Sequence, residues 1–344
     1  MNASPDDLPG ATRSGPLAAG PGHGPPAAAA PATEAPHAAH DGGSPKPGAP
    51  EWMQRQERSN LAILRLMVWI SLTFGRPIGR LVLAGIAAYF VLFAPAARRA
   101  SRDYLHRLLG RWANWRDGYR HVLSFASTIH DRIYLLNNRF DLFDVTVHGG
   151  DELIAAARAQ PGALLMGAHL GSFEALRAMG RGQAGLKVAM MMYEQNARKI
   201  NATLAAINPA ATRDIISLGR MESMLEARDK LDEGYLVGML ADRSLGADPT
   251  LEVGFLGAPA AFPLGPWRMA AMLRRPVFLM AGLYLGGNRY ELHFVPLADF
   301  SRVERGQRDA AIREAVQRYA DGLAGLCRRA PYNWFNFFDF WQKR

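Results

Sequence analysis

ALLMGAHLGSFEALR, residues 163–177, decides the fold and carries the most informative chemistry in the chain. ALLMGA is a short, uncharged apolar run of the kind that forms a buried strand, and GSFEALRAMG has the spacing of a helix. His169 therefore falls at the carboxyl end of a strand, just before a helix, where open α/β sheets place their sites. Glu174 follows five residues on, in the first turns of that helix. Gly167 and Gly171 free the backbone around His169, so that a substrate can come close. An isolated His–Glu pair is usually a packing histidine beside a surface glutamate. The strand–His–Gly–helix setting is what raises this pair above that reading. Ser172 is a nucleophile on paper, but its flanks read G-S-F and not the G-x-S-x-G elbow.

The same alternation continues on both sides. Val145–His148 is a short strand candidate, and DELIAAARAQ (151–160) is a helix stopped by Pro161-Gly162. Beyond the central motif come a strand in LKVAMMM, a helix in QNARKINATLAAI and a helix in RMESMLEARDKLDEG. Then come a strand in YLVGMLA and, after a loop, a helix in LGPWRMAAMLRR. PVFLMAGLYL and RYELHFVPL are strands joined by Gly286-Gly287-Asn288, a hairpin signal, and residues 308–329 form a long last helix. The expectation is an α/β fold: a mostly parallel central sheet flanked by helices, preceded by membrane-associated helices.

Three sections are expected: 1–50, 51–110 and 111–344. The first holds thirteen Ala, eleven Pro and eight Gly, with no aromatic residue, so it cannot bury enough apolar surface to offset its ordering entropy. It lacks the basic start and apolar run of a secretory signal. The second contains Leu81 to Ala97, seventeen residues without a charge, at the lower limit for crossing a bilayer. Gly75, Pro77 and Gly79 predict a break before it. Arg98, Arg99, Arg102, Arg107 and Arg111 follow it, as basic residues do on the cytoplasmic side of an anchor. A short membrane helix or hairpin and a buried soluble helical pair both fit. From residue 100 to about 145, Trp112, Trp115, Tyr119, Val122, Leu123, Ala126 and Ile129 recur at helical spacing, and His106, His121 and His130 read there as packing or surface residues.

The net charge is +9, concentrated after residue 50, which suits anionic headgroups, an acidic carrier protein or nucleic acid. No nucleic-acid reader motif is present, so no nucleic-acid partner is expected. The single Cys327 excludes a disulfide framework and reads as a buried thiol. There is no zinc-like Cys/His spacing, and no metal is expected.

His169 with Glu174 resembles the H-x4-[D/E] signature of glycerolipid-type acyltransferases. The fuller GxHxGxxE form is similar to the lipid A lauroyl/myristoyl-transferase branch, which also includes mycobacterial mannoside acyltransferases. YLVGMLADRSLG (235–246) and VGFLGAPAAFPLGPWRMAAMLRRPV (253–277) follow in the family's order, and the likeness covers roughly residues 60–344. The aromatic ending YNWFNFFDFW (332–341) departs from the housekeeping enzymes. With the long tail, it looks closer to a branch associated with aryl-polyene or glycolipid biosynthesis.

The resemblance implies a membrane-associated O-acyltransferase of lipid A or lipopolysaccharide biosynthesis, at the cytoplasmic face of the inner membrane. Its acyl donor would be an acyl-carrier-protein or coenzyme A thioester, a co-substrate, with no further cofactor, and its acceptor a hydroxyl of a glycolipid. His169 would be the general base. Two acidic partners are open. Asp242 stands where the mannoside acyltransferases carry the relay residue and is favoured, while Glu174 belongs to the motif itself. Arg243, Gly171, Ser172, Tyr193 and Gly265 are candidate substrate contacts, with Arg243 suited to a phosphate or to steadying Asp242. A thioesterase on the same scaffold and a non-catalytic membrane scaffold are the alternatives.

Overall fold

The computed structural model describes residues 61–175, 187–193, 207, 215–218, 221–243 and 248–341. Residues 1–60 lie outside them. So does the expected helix QNARKINATLAAI, apart from Ile207. The described residues belong to one compact unit.

Among the described residues three helices come first: α1 (Leu61–Phe93), α2 (Pro95–Leu109) and α3 (Trp115–Leu136). Then follow β1 (Asp144–His148), α4 (Gly150–Ala159), β2 (Ala163–Gly167), β3 (Val188–Tyr193), β4 (Ile215–Leu218), α5 (Met221–Asp232) and β5 (Leu236–Leu240). The chain continues through β6 (Thr250–Phe255), β7 (Ala258–Pro263), α6 (Gly265–Leu273), β8 (Pro276–Tyr284), β9 (Arg289–Asp299) and α7 (Arg308–Arg329).

Seven strands form one sheet in the order β1-β9-β8-β2-β5-β3-β4. From β8 to β4 all neighbours are parallel; β9 turns back antiparallel on β8, and β1 pairs parallel with β9. β2 and β8 are buried at every position, as strands covered on both faces are. Their alternating side chains feed two cores. Leu164 and Met166 join α6, α7 and Trp334 on one face, while Ala163 and Leu165 join Leu135, Leu153 and Ala175 on the other.

Most expected elements are present, and three strands are not among those expected. β4 was not anticipated, and β6–β7, read as a loop, is a separate antiparallel hairpin. Its turn places Leu256 and Gly257 at φ 49° and 82°, a geometry for which only the glycine is a sequence signal. Gly254, Pro259 and Pro263 mask the strands on either side.

The expected break in the apolar segment is a kink at Gly75 (φ 81°) within α1, which runs on through Pro77. Among the described residues, one stretch, Val68–Phe93, is long and apolar enough to cross a membrane. α3 starts with a capping box: the Asn114 side chain accepts from the Asp117 amide and the Asp117 carboxylate accepts from the Asn114 amide. Two of the three histidines in this region are internal. His121 Nδ1 accepts a hydrogen bond from the Ser101 hydroxyl while Nε2 donates to the Trp334 carbonyl, and His130 meets Ser71. Burial pushes both down to about 4, so they sit neutral in the core. Cys327 is buried, and burial pushes its thiol up to about 12.

Candidate functional site

Register builds the site. Gly167 on β2 pairs with Leu240 on the neighbouring parallel strand β5. His169 and Asp242 each stand two residues beyond that pair, so the two strand ends deliver an imidazole and a carboxylate to the same point. His169 Nδ1 lies 2.8 Å from Asp242 Oδ1, and the His169 amide donates to Asp242 Oδ2 at 3.0 Å. The Trp334 indole Nε1 donates to the same oxygen at 3.2 Å.

Asp242 is fully buried and His169 about a third exposed. Burial works against charge on Asp242, but His169, Arg243 and the His169 amide outweigh it and hold the carboxyl well below the usual carboxylate range. An ionised carboxylate only accepts, so the proton between the two side chains belongs to Nδ1 and the basic nitrogen is Nε2. A pair of this kind can take a proton from a hydroxyl and steady the imidazolium that results.

The C-terminal aromatic segment completes the frame and faces the core. Its Phe335 amide donates to the His169 carbonyl at 2.7 Å, and its Asn333 carbonyl accepts from the Gly171 amide at 2.9 Å. The Asn333 side chain clasps the backbone of Tyr284 in both directions. Trp334, fully buried, touches Tyr104, Phe255 and Phe340. Arg243 donates to the Phe335 carbonyl at 2.7 Å and lies over the Phe338 ring. It thus steadies both Asp242 and this segment. Trp334 went unmarked in the sequence because it stands 92 residues from its partner Asp242.

The other candidates divide. Glu174 does not share the imidazole among its described contacts; it forms an ion pair with Arg132 of α3 at 2.7 Å. The Arg132 Nε proton is not aimed at the carboxylate, so the contact is charge attraction without a well-formed hydrogen bond. Ser172 is buried, its hydroxyl accepts from the Ala175 amide and its own amide donates to the Gly282 carbonyl at 2.7 Å. It caps the start of the helix that begins at Phe173. Gly171 has φ 69°, and a Cβ there would sit 1.9 Å from the Gly282 oxygen. The glycine is required by the approach of β8, where the sequence suggested room for substrate.

Tyr193 ends β3 at the same edge of the sheet and reaches Asp248 at 3.3 Å. Gly265 begins α6, exposed and with open space around its Cα. A depression of about 790 Å³ between the β6–β7 hairpin and α7, lined by Glu252, Phe255, Gln317 and Arg328 among others, includes none of these residues. Among the described residues, one group has the donor set for a metal ion: His148, Glu291 and His293. Its Glu291 is already paired with Arg329 at 2.6 Å, and it stands on β1 and β9, away from His169.

Compared with known proteins, residues 55–343 match the family described as bacterial lipid A biosynthesis acyltransferase. No curated protein matches the chain at a significant level.

Proposed function

We infer, since the chain belongs to the bacterial lipid A biosynthesis acyltransferase family, that His169 backed by Asp242 is the general base of its acyl transfer. The protein is an acyltransferase, and its family implies a lipid acceptor. The observation that supports the base is the 2.8 Å contact between His169 Nδ1 and a fully buried Asp242 at the ends of two registered strands.

The reaction follows from that geometry. The acceptor hydroxyl gives its proton to Nε2 as its oxygen attacks the thioester carbonyl carbon. Asp242 stabilises the imidazolium. When the tetrahedral intermediate collapses, the C–S bond breaks and the imidazolium returns the proton to the departing thiolate. The amides of Gly171 and Ser172 are spent on Asn333 and Gly282. The oxyanion is therefore assigned to the next amides of the helix start, Phe173 and Glu174. Ser172, a cap, is not a nucleophile in this scheme, so transfer is direct. Glu174, held by Arg132, positions the acceptor or the loop carrying His169. Tyr193 and Arg243 border the acceptor.

The donor is an acyl-carrier-protein or coenzyme A thioester, and the acceptor a glycolipid hydroxyl at the cytoplasmic face of the inner membrane. The basic charge of the folded part suits both the acidic carrier and anionic headgroups. No metal takes part in this scheme.

Membranes carrying the protein, supplied with acyl-carrier protein bearing a labelled chain, test the reading. Label should pass to lipid, and His169→Ala should lower the rate about a thousandfold or more through loss of the base and its positioning. Label released only as free fatty acid, or an unimpaired His169→Ala protein, would overturn it.

A further inference from the structure

α1 is long and apolar enough to cross a bilayer, but along one face its middle, from Ser71 to Ala84, is fastened to the protein. The Tyr134 hydroxyl donates to the Ser71 carbonyl at 2.9 Å, and the Tyr119 hydroxyl donates to the Ala84 carbonyl at 3.2 Å. α1 therefore runs antiparallel along α3 from Ser71 to Ala84. Between these points a Cβ on Gly79 would collide with the His130 ring, so the two helices meet without a gap. Arg76 and Arg80 lie in the same stretch and both reach the fully buried Asp131 of α3, at 2.8 and 2.6 Å. Two guanidiniums at the middle of the apolar stretch thus point into the protein, and α3 itself carries Arg116, Asp117 and Arg120. The stretch from Ser71 to Ala84 is thus held against α3 on one face, with Leu72, Phe74, Ile78 and Leu81 exposed on the other, and its two arginines and the charged start of α3 count against a passage through hydrocarbon.

What extends beyond Ala84 is short. Residues 85–93 rise roughly 14 Å at 1.5 Å per residue, against a hydrocarbon core of about 30 Å. This tip is apolar and uncovered: Tyr89, Phe90, Leu92 and Phe93 are exposed by 57, 41, 66 and 64%. Arg98 folds back to donate to the Val91 and Leu92 carbonyls, and Arg99 and Arg102 beside it are exposed. Residues 61–102 contain no Asp or Glu. Trp112 and Trp115, exposed by 69 and 70%, flank the start of α3, the end of that helix beside Ala84. An apolar tip ringed by arginines and tryptophans has the layout of an interfacial anchor.

We propose that α1 is a monotopic anchor: residues 85–93 enter a single leaflet of an anionic bilayer, Arg98, Arg99 and Arg102 sit among its phosphates, and the helix does not cross. This rests on the reading that the chain works at a membrane and replaces the crossing helix with a tip. The tail and the catalytic sheet then lie on the same side, and the acceptor lipid reaches His169 from the leaflet that holds the tip.

Two measurements decide it. In spheroplasts and in inverted vesicles, a membrane-impermeant maleimide is applied to Ser44→Cys and, separately, to Arg305→Cys; the native Cys327 is buried. Both sites should react only in inverted vesicles. Reaction of the tail site alone in intact spheroplasts would show a crossing helix and overturn the proposal, while leaving acyl transfer untouched. In the second, Phe90→Ser with Phe93→Ser should weaken sedimentation with vesicles of equal phosphatidylglycerol and phosphatidylcholine at least about tenfold, from lost apolar burial. Thermal unfolding in detergent should stay the same. Unchanged vesicle binding would overturn the assignment of the tip. Loss of acyl transfer in a wild type that still binds vesicles would count against the proposed function and leave the anchor standing.

Discussion

Two buried aspartates organise two regions of this molecule, and their partners make them different devices. Asp242, at the carboxyl end of β5, meets an imidazole and an indole. Asp131, in α3, meets Arg76, Arg80 and the hydroxyl of Tyr290. Both side chains are fully shielded from water. Guanidinium groups stay charged at any ordinary pH, so the Asp131 cluster is a fixed clamp that ties α1 to α3 and to β9. An imidazole gains and loses its proton near neutrality, so the Asp242 cluster can pass one. The residue type buried is the same; its partners make a fixed clamp in one place and, on the proposed reading, a proton-transfer site in the other.

The first way to break this comparison is to neutralise each carboxylate in turn. Asp242→Asn should lower acyl transfer about a hundredfold to a thousandfold with little change in acceptor KM, because the imidazole loses its orienting charge at the step where it becomes cationic. Asp131→Asn should act on stability. Leaving Arg76 and Arg80 without their carboxylate should cost about 3 kcal/mol in urea unfolding, while kcat in detergent moves less than about threefold. If Asp131→Asn abolished transfer and left stability unchanged, the distinction between clamp and site would fail.

A smaller effect sharpens the same contrast through pH. His121 and His130 are buried as neutral rings, with folded values of about 4 against 6.5 when unfolded. A lowered imidazole pKa means that the unfolded chain binds more protons below 6.5. Stability is therefore full above pH 6.5 and falls as the pH drops from 6.5 towards 4. Each ring should remove about 2 kcal/mol between pH 6.5 and 5. Urea unfolding at the two pH values should show that loss, and His121→Gln should show about half of it. A flat profile would mean that the rings are protonated in the fold.

The sequence made the α/β plan legible because period and punctuation agreed. ALLMGA, YLVGMLA and PVFLMAGLYL are apolar throughout, as strands covered on both faces must be, and α7 spans the predicted residues 308–329. β6 and β7 were hidden because Gly254, Pro259 and Pro263 are loop residues by local chemistry, and the hairpin gains its order from packing Phe255 and Phe262 against α7 and Trp334.

His169 was legible from its place after a strand. Asp242 entered only through the family resemblance, since nothing local marks a carboxylate after β5 as the partner of a histidine after β2. The two-residue offset from the Gly167–Leu240 pair supplies the geometry that the sequence lacks. Glu174, whose motif spacing suggested the imidazole, is drawn instead to Arg132 of α3. That contact joins residues distant in sequence, and no periodicity announces it.

The most direct test of the central claim is a double-mutant cycle on acyl transfer with His169→Ala, Asp242→Asn and the pair. If Asp242 acts through the imidazole, its substitution should add less than about threefold to the loss already caused by His169→Ala. If the two losses multiply, Asp242 acts independently of His169 and the base assigned to this site is wrong.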